Sequence, residues 1–165
     1  MVVKCIKSFV LIEKFIKSSV LKPEMEVKKH LEILKEVMDE IETAQQDPQG
    51  LLSHQRRLAL MLSLGVCELI ELYFHKLDII KSGSRIKHTW FRQKRIKEKL
   101  EQQIISPLDV VANIDLIIQL ATSIEKSRDD LAYSSPQEDD KILNEKINQF
   151  LELKKVIERE VHLYG

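Results

Sequence analysis

Arg128, Asp129 and Tyr133 are the residues of this chain whose types and spacing best suit chemistry. A guanidinium is planar and matches a phosphate with paired hydrogen bonds. A carboxylate next to it can support it, and a phenol can donate a hydrogen bond. As a base at neutral pH the phenol is weak, because its reference pKa is about 10. Other chemistries lack their residues. There is no glycine-rich phosphate loop, no HExxH and no CxxC, and no serine is set up as a nucleophile by its local sequence.

A second set lies in residues 85–99, with seven Lys or Arg against one Glu and the chain's single Trp in the middle. Arg85, Lys87, Arg92, Lys94 and Arg95 could neutralise phosphates, and Trp90 could stack on a base. The competing expectation is that Trp90 and Phe91 plug the core beneath a solvated basic face. From Glu125 to Glu145 the balance reverses, with seven acids against three bases. A third set is Glu68, Glu71 and His75, spaced i, i+3 and i+7. A metal site in a helical bundle needs a matching set on another helix. None is read from the spacing, so these residues are expected to form a satisfied polar edge, with no metal and no cofactor.

These sets must be positioned by helices. The chain has 165 residues, 44% hydrophobic and 32% charged, with only four Gly and four Pro. That leaves long uninterrupted segments and predicts an all-α antiparallel bundle of about five or six helices. Val2, Cys5, Ile6, Phe9, Ile12 and Ile16 make one stripe. Residues 1–22 are therefore expected to be an amphipathic helix packed on the bundle or on a partner, in preference to a membrane-surface helix. Residues 23–165 form the bundle domain. Pro23 suits the first turn of a second helix, and Ser53 suits the cap of a third, running to about Lys81. That third segment is apolar over much of its circumference, which marks a central helix. Gly65 inside it suggests close approach of a neighbour. Ser106-Pro107-Leu108-Asp109 reads as the start of the helix that delivers Arg128, and a last helix follows the loop at 134–140.

Net charge is zero, so no global field draws the protein to nucleic acid or membrane. Cys5 and Cys67 are far apart and lie in apolar patterns, which suits a reducing cytoplasm. No uninterrupted apolar run reaches the length of a bilayer span, and lysines interrupt the apolar N-terminal stretch, so no stable membrane insertion is expected.

The string Arg128-Asp129-x3-Tyr133, at the end of a long apolar helix with one closing helix after it, resembles the signature of the HEPN superfamily. Those proteins are small helical bundles, many of them dimeric, that carry an Arg, a polar follower and then a His. The resemblance spans about residues 23–161. It implies a metal-independent endoribonuclease or a toxin–antitoxin component, acting as a homodimer and partnered by a nucleotidyltransferase-type antitoxin. Arg128 would take the scissile phosphate and Asp129 would support it. Tyr133 stands where the family has its proton-handling His, so the resemblance implies binding of RNA or nucleotide phosphate with cleavage weakened or lost. Residues five apart on an ideal helix point about 140° apart. Arg128 and Tyr133 are therefore expected to converge only where the helix loosens ahead of Ser134-Ser135-Pro136. The alternative reading is a helical interaction or dimerisation module with no chemistry.

Overall fold

The computed structural model describes the backbone of residues 3–163 and the side chains of residues 24–162. Among these residues the chain is all-α and forms no strand. The helices are α1 (Val3–Gln46), α2 (Gln55–Lys76), α3 (Ile96–Glu101), α4 (Ile114–Tyr133) and α5 (Lys141–Leu163), joined by short 3-10 turns. The α1 backbone runs through Pro23, where the sequence suggests a boundary. The expected packing of residues 1–22 lies outside the described side chains.

Cross-helix contacts fix the directions. His30 meets Glu68 while Glu40 meets His54, so α1 and α2 are antiparallel. Gln55 bonds the Leu131 carbonyl, Ser63 bonds Glu125, and Tyr73 bonds the Ala112 carbonyl, so α4 descends along α2. Lys146 reaches Ser123 and Asn113 reaches Glu160, which makes α5 antiparallel to α4. Helix α2 packs against α1, α4 and α5, the central place its broad apolar surface predicts. With the preceding turn, the stretch Leu51–Lys76 holds an 18-residue window of mean hydropathy 1.5, long and apolar enough for a bilayer by length and composition. However, 78% of its apolar window is buried inside the protein. Arg56, Arg57, Glu68 and Glu71 interrupt the stretch, so it is not an uninterrupted apolar run.

Gly65 is a point of close approach to α2. A Cβ there would sit 2.6 Å from Phe150 Cε2 and 3.1 Å from Val37 Cγ1, so both α5 and α1 use the missing side chain. Phe150 and Val37 are themselves fully buried, which makes this junction part of the main core.

Three further helix boundaries differ from the sequence reading. Ser53 does not cap α2. It lies in the 3-10 turn Leu51–His54, its hydroxyl bonded to the Gly50 carbonyl. Helix α2 stops at Lys76 rather than near Lys81, and Asp78 turns the chain with φ 55°. The Ser106-Pro107 signal opens only the short turn Leu108–Val110. Helix α4 begins six residues later, after Asn113 at φ 57°. Asp and Asn tolerate this left-handed conformation better than other residues with side chains.

Between α2 and α4, residues 77–113 make an excursion that matters for the site. It is held by Ile105 N to Ile79 O (2.8 Å) and Lys81 N to Gln103 O (2.8 Å). These bonds turn residues 85–92 back against α2 and α4. Ile86 and Phe91 then enter the core.

Candidate functional site

The excursion and the C-terminal third of α4 enclose a cleft of about 460 Å³ on one flank of α2. Its lining includes Ser63, Glu68 and Glu71 from α2, Arg85, Lys87 and His88 from the excursion, and Arg128 from α4. Members of all three sequence sets therefore meet, across 60 residues of chain from Glu68 to Arg128.

The α2 wall is polar and buried. Glu71 accepts the Ile86 backbone N–H at 2.6 Å and the Arg85 guanidinium at 3.3 Å. Burial raises the Glu71 pKa, with Glu68 adding repulsion against the bonds from Ile86 and Arg85. Glu68 accepts His30 Nδ1–H at 2.5 Å. Glu68 and Glu71 are satisfied, as expected of a polar edge, but they lie inside, because α1 supplies a histidine and the excursion supplies an arginine and an N–H. The same surroundings push the Cys67 thiol pKa up, chiefly by burial, which makes it a poor nucleophile.

Glu125 of α4 is fully buried. Its carboxylate accepts the Ser63 hydroxyl on one oxygen and His88 Nδ1–H at 3.2 Å on the other. Serine, glutamate and histidine are together, but the carboxylate sits between the other two. A nucleophilic triad needs the imidazole against the hydroxyl, so this group ties the excursion to α2 and α4.

Arg128 is largely covered, with a side chain 14% exposed. Its NH1 donates to Asp129 at 2.7 Å, and its buried Nε has no hydrogen-bond partner. Asp129 is bracketed by Arg128 and Arg92, and the bond from Arg92 is the larger cause of its lowered pKa. Tyr133 closes α4, which stays helical to its last residue. The loosening expected after Arg128 does not occur. The long arginine side chain instead carries its guanidinium to 5.9 Å from the Tyr133 ring centroid. Tyr133 is 69% exposed and does not line the cleft.

The basic set divides. Arg85 and Lys87 open on the cleft and Arg92 serves Asp129. Trp90 packs partly buried against the core with the Lys99 ammonium 5.7 Å above its ring, and Phe91 is fully buried. Arg95 pairs with Glu98 at 2.6 Å, and neither Arg95 nor Lys94 lines the cleft.

Sequence reading missed His30, His88, Ser63 and Glu125. Glu26 and His30 sit at i, i+4 on α1, a spacing visible in the sequence, and they approach His75. Of the Glu68, Glu71 and His75 set, only His75 joins them in that group. His88 and Ser63 carried no local signal, since only the return of the excursion brings them to Glu125. Comparison of the chain with family models, curated proteins and solved structures gives no match.

Proposed function

We propose that this chain is a HEPN-like helical protein whose cleft binds the phosphates of RNA or of a nucleotide. The observation that supports the reading is the shared lining: Arg128 opens on the same cleft as Arg85, Lys87 and His88. Arg128 has donor capacity left over, because Asp129 occupies NH1 and no acceptor meets Nε. A phosphate oxygen supplies that acceptor, and a charge-assisted bond is stronger than a neutral one. Arg85 is anchored on Glu71, while Lys87 is exposed without a carboxylate partner among the described residues. Arg128 orients the anion, Lys87 adds charge, and Asp129 with Arg92 holds Arg128 in place.

Tyr133 touches the guanidinium from outside the cleft. It has no position from which to take a proton from a ligand lying against Arg128, so the reading favours binding over cleavage. The protein works in the cytoplasm, with a nucleotidyltransferase-type antitoxin as the partner the motif implies. Binding of a labelled single-stranded RNA and of a nucleoside triphosphate, with cleavage scored in EDTA, tests this. Arg128→Ala should weaken binding about tenfold, equivalent to about 1.4 kcal/mol, without changing the thermal midpoint. Equal binding by the wild type and the variant would remove the reading.

A second reading, a helical association module, draws on Leu60 and Leu64. Both are partly exposed on α2 at the rim of the cleft. A second copy of the chain is the occupant this reading names, and zero net charge puts no global repulsion against it. Light scattering should then give a dimer that Leu64→Lys converts to monomer. A wild-type monomer at every concentration would exclude it.

A further inference from the structure

We infer that Glu26, His30 and His75 form a binding site for a divalent transition metal of the zinc class, bridging α1 and α2. The three side chains offer one ligand atom each, and these atoms lie within 4.8 Å of one another. Two imidazoles and a carboxylate are a nitrogen–oxygen donor set that suits Zn²⁺ and its late first-row neighbours better than Mg²⁺ or Ca²⁺, which prefer all-oxygen shells.

The orientation of His30 supplies an independent observation. The residue is 1% exposed. Its Nδ1–H is donated to Glu68 at 2.5 Å. That leaves Nε2 as the nitrogen with the lone pair, and Nε2 is buried with no hydrogen-bond partner. The nearest carboxylate oxygen, Glu71 Oε2, stands off at 3.8 Å. A buried imidazole with one nitrogen fixed by a carboxylate and the other unsatisfied has the form of a metal ligand held by its second shell. The unmet polar atom costs free energy unless an ion or another group meets it.

The rings of His30 and His75 are tilted 40° with centroids 5.1 Å apart, not stacked face to face. Metal–ligand bonds of about 2.0–2.2 Å bring ligand atoms to roughly 3.4 Å from each other. The ligands therefore draw together on binding. Glu26 is exposed, one turn before His30 on the same helix, and closes the gap by rotation of its side chain. It also gives the ion a route from solvent. Three protein ligands leave a fourth position for water or a small ligand. Glu68 acts as a positioning residue. It lines the cleft as well as holding His30, but the metal site does not depend on what the cleft binds.

Full-length protein, stripped with chelator and dialysed, is titrated with Zn²⁺ by calorimetry and with Co²⁺ by visible absorption. The expected result is one ion per chain, Co²⁺ bands of low-symmetry nitrogen–oxygen coordination, and a thermal midpoint that rises with Zn²⁺. Glu26→Gln and His75→Ala, both at positions outside the closed core, should each weaken binding at least about tenfold and abolish the Zn²⁺-dependent rise. Glu68→Gln should weaken it about 10- to 100-fold, the range for an outer-shell partner. His162→Ala, at an exposed position on α5, should change nothing. No Zn²⁺ binding by the wild type would overturn the inference. So would binding undiminished in both Glu26→Gln and His75→Ala.

Discussion

A buried acid–histidine contact lies on each of two flanks of α2, and the two are built differently: α2 supplies Glu68 to the first and only the Ser63 hydroxyl to the second. Toward α1, Glu68 faces His30, and both partners are almost completely enclosed. Toward α4, Glu125 is the enclosed partner while His88 keeps a side chain 35% exposed. The α1 contact lies between two long helices that cannot separate locally. The α4 contact joins a helix to an excursion of irregular chain. A buried carboxylate with an enclosed partner has no water to fall back on, whereas a partner at the rim can exchange its bond for solvent. The first contact therefore governs stability, and the second governs how the excursion, with Arg85 and Lys87, lies over the cleft.

Removing one partner on each flank should expose this difference. His30→Leu leaves Glu68 buried without its donor and Glu71 without its nearest imidazole. The expected cost is about 3 kcal/mol, the lower end for stranding a buried charge, measured by urea unfolding in EDTA. Adding Glu68→Gln should recover part of it, because a neutral amide is cheaper to bury. A cost below about 1 kcal/mol would mean that water reaches the α1–α2 junction.

On the other flank, Glu125→Leu removes the acceptor of Ser63 and His88 while keeping similar volume. His88 turns to solvent, and Ser63 alone is stranded. About 1 kcal/mol is expected, and Ser63→Ala in the same chain should restore most of it. The larger effect should be on the cleft: amide exchange over residues 85–92 should quicken while exchange in α1 stays unchanged. An equal loss of protection in both regions would show that the two flanks are one cooperative unit.

Much of the architecture was legible from the sequence, and the reason is periodicity. Apolar steps along α2 and α5 specify buried faces, and Gly65 announced the contact with Phe150 and Val37. The excursion was not legible. Its course depends on long-range bonds such as Ile105 to Ile79, and on left-handed turns at Asp78 and Asn113. The Ser-Pro-Leu-Asp string, a sound helix-start signal, was met by a single short turn. Within the site, Arg128 and its pairing with Asp129 could be read from neighbouring positions. The ties of Asp129 to Arg92 and of Glu125 to His88 could not, since each spans 37 residues. The partners that satisfy Glu68 and Glu71 were hidden for the same reason: they come from other segments.

The smallest effect concerns a third histidine, His54, at the hairpin between α1 and α2. Its Nε2 meets Asp47 at 2.7 Å, and its Nδ1 meets Glu40 at 2.9 Å and the Arg57 guanidinium at 3.1 Å. A carboxylate at each nitrogen favours the cation, and the bonds to Asp47 first and Glu40 second raise the His54 pKa above its ordinary range, against the charge of Arg57. A raised folded-state pKa contributes stability that is complete below the unfolded value, about 6.5, and is lost as pH rises through the folded value. Asp47 has the opposite sign. Its pKa is lowered by the Gln49 backbone N–H first and by His54 second. Its contribution is present above the unfolded carboxyl pKa, about 3.9, and fades as pH falls through the folded one. Wild-type thermal midpoints should therefore be higher at pH 6 than at pH 9. In His54→Gln, which can still bond one carboxylate but carries no charge, that alkaline decline should flatten. Glu71 also has a raised pKa and contributes a decline of the same sign, so the informative quantity is the difference between the two chains at each pH. If that difference is independent of pH between 5 and 9, His54 does not exchange its proton within this range.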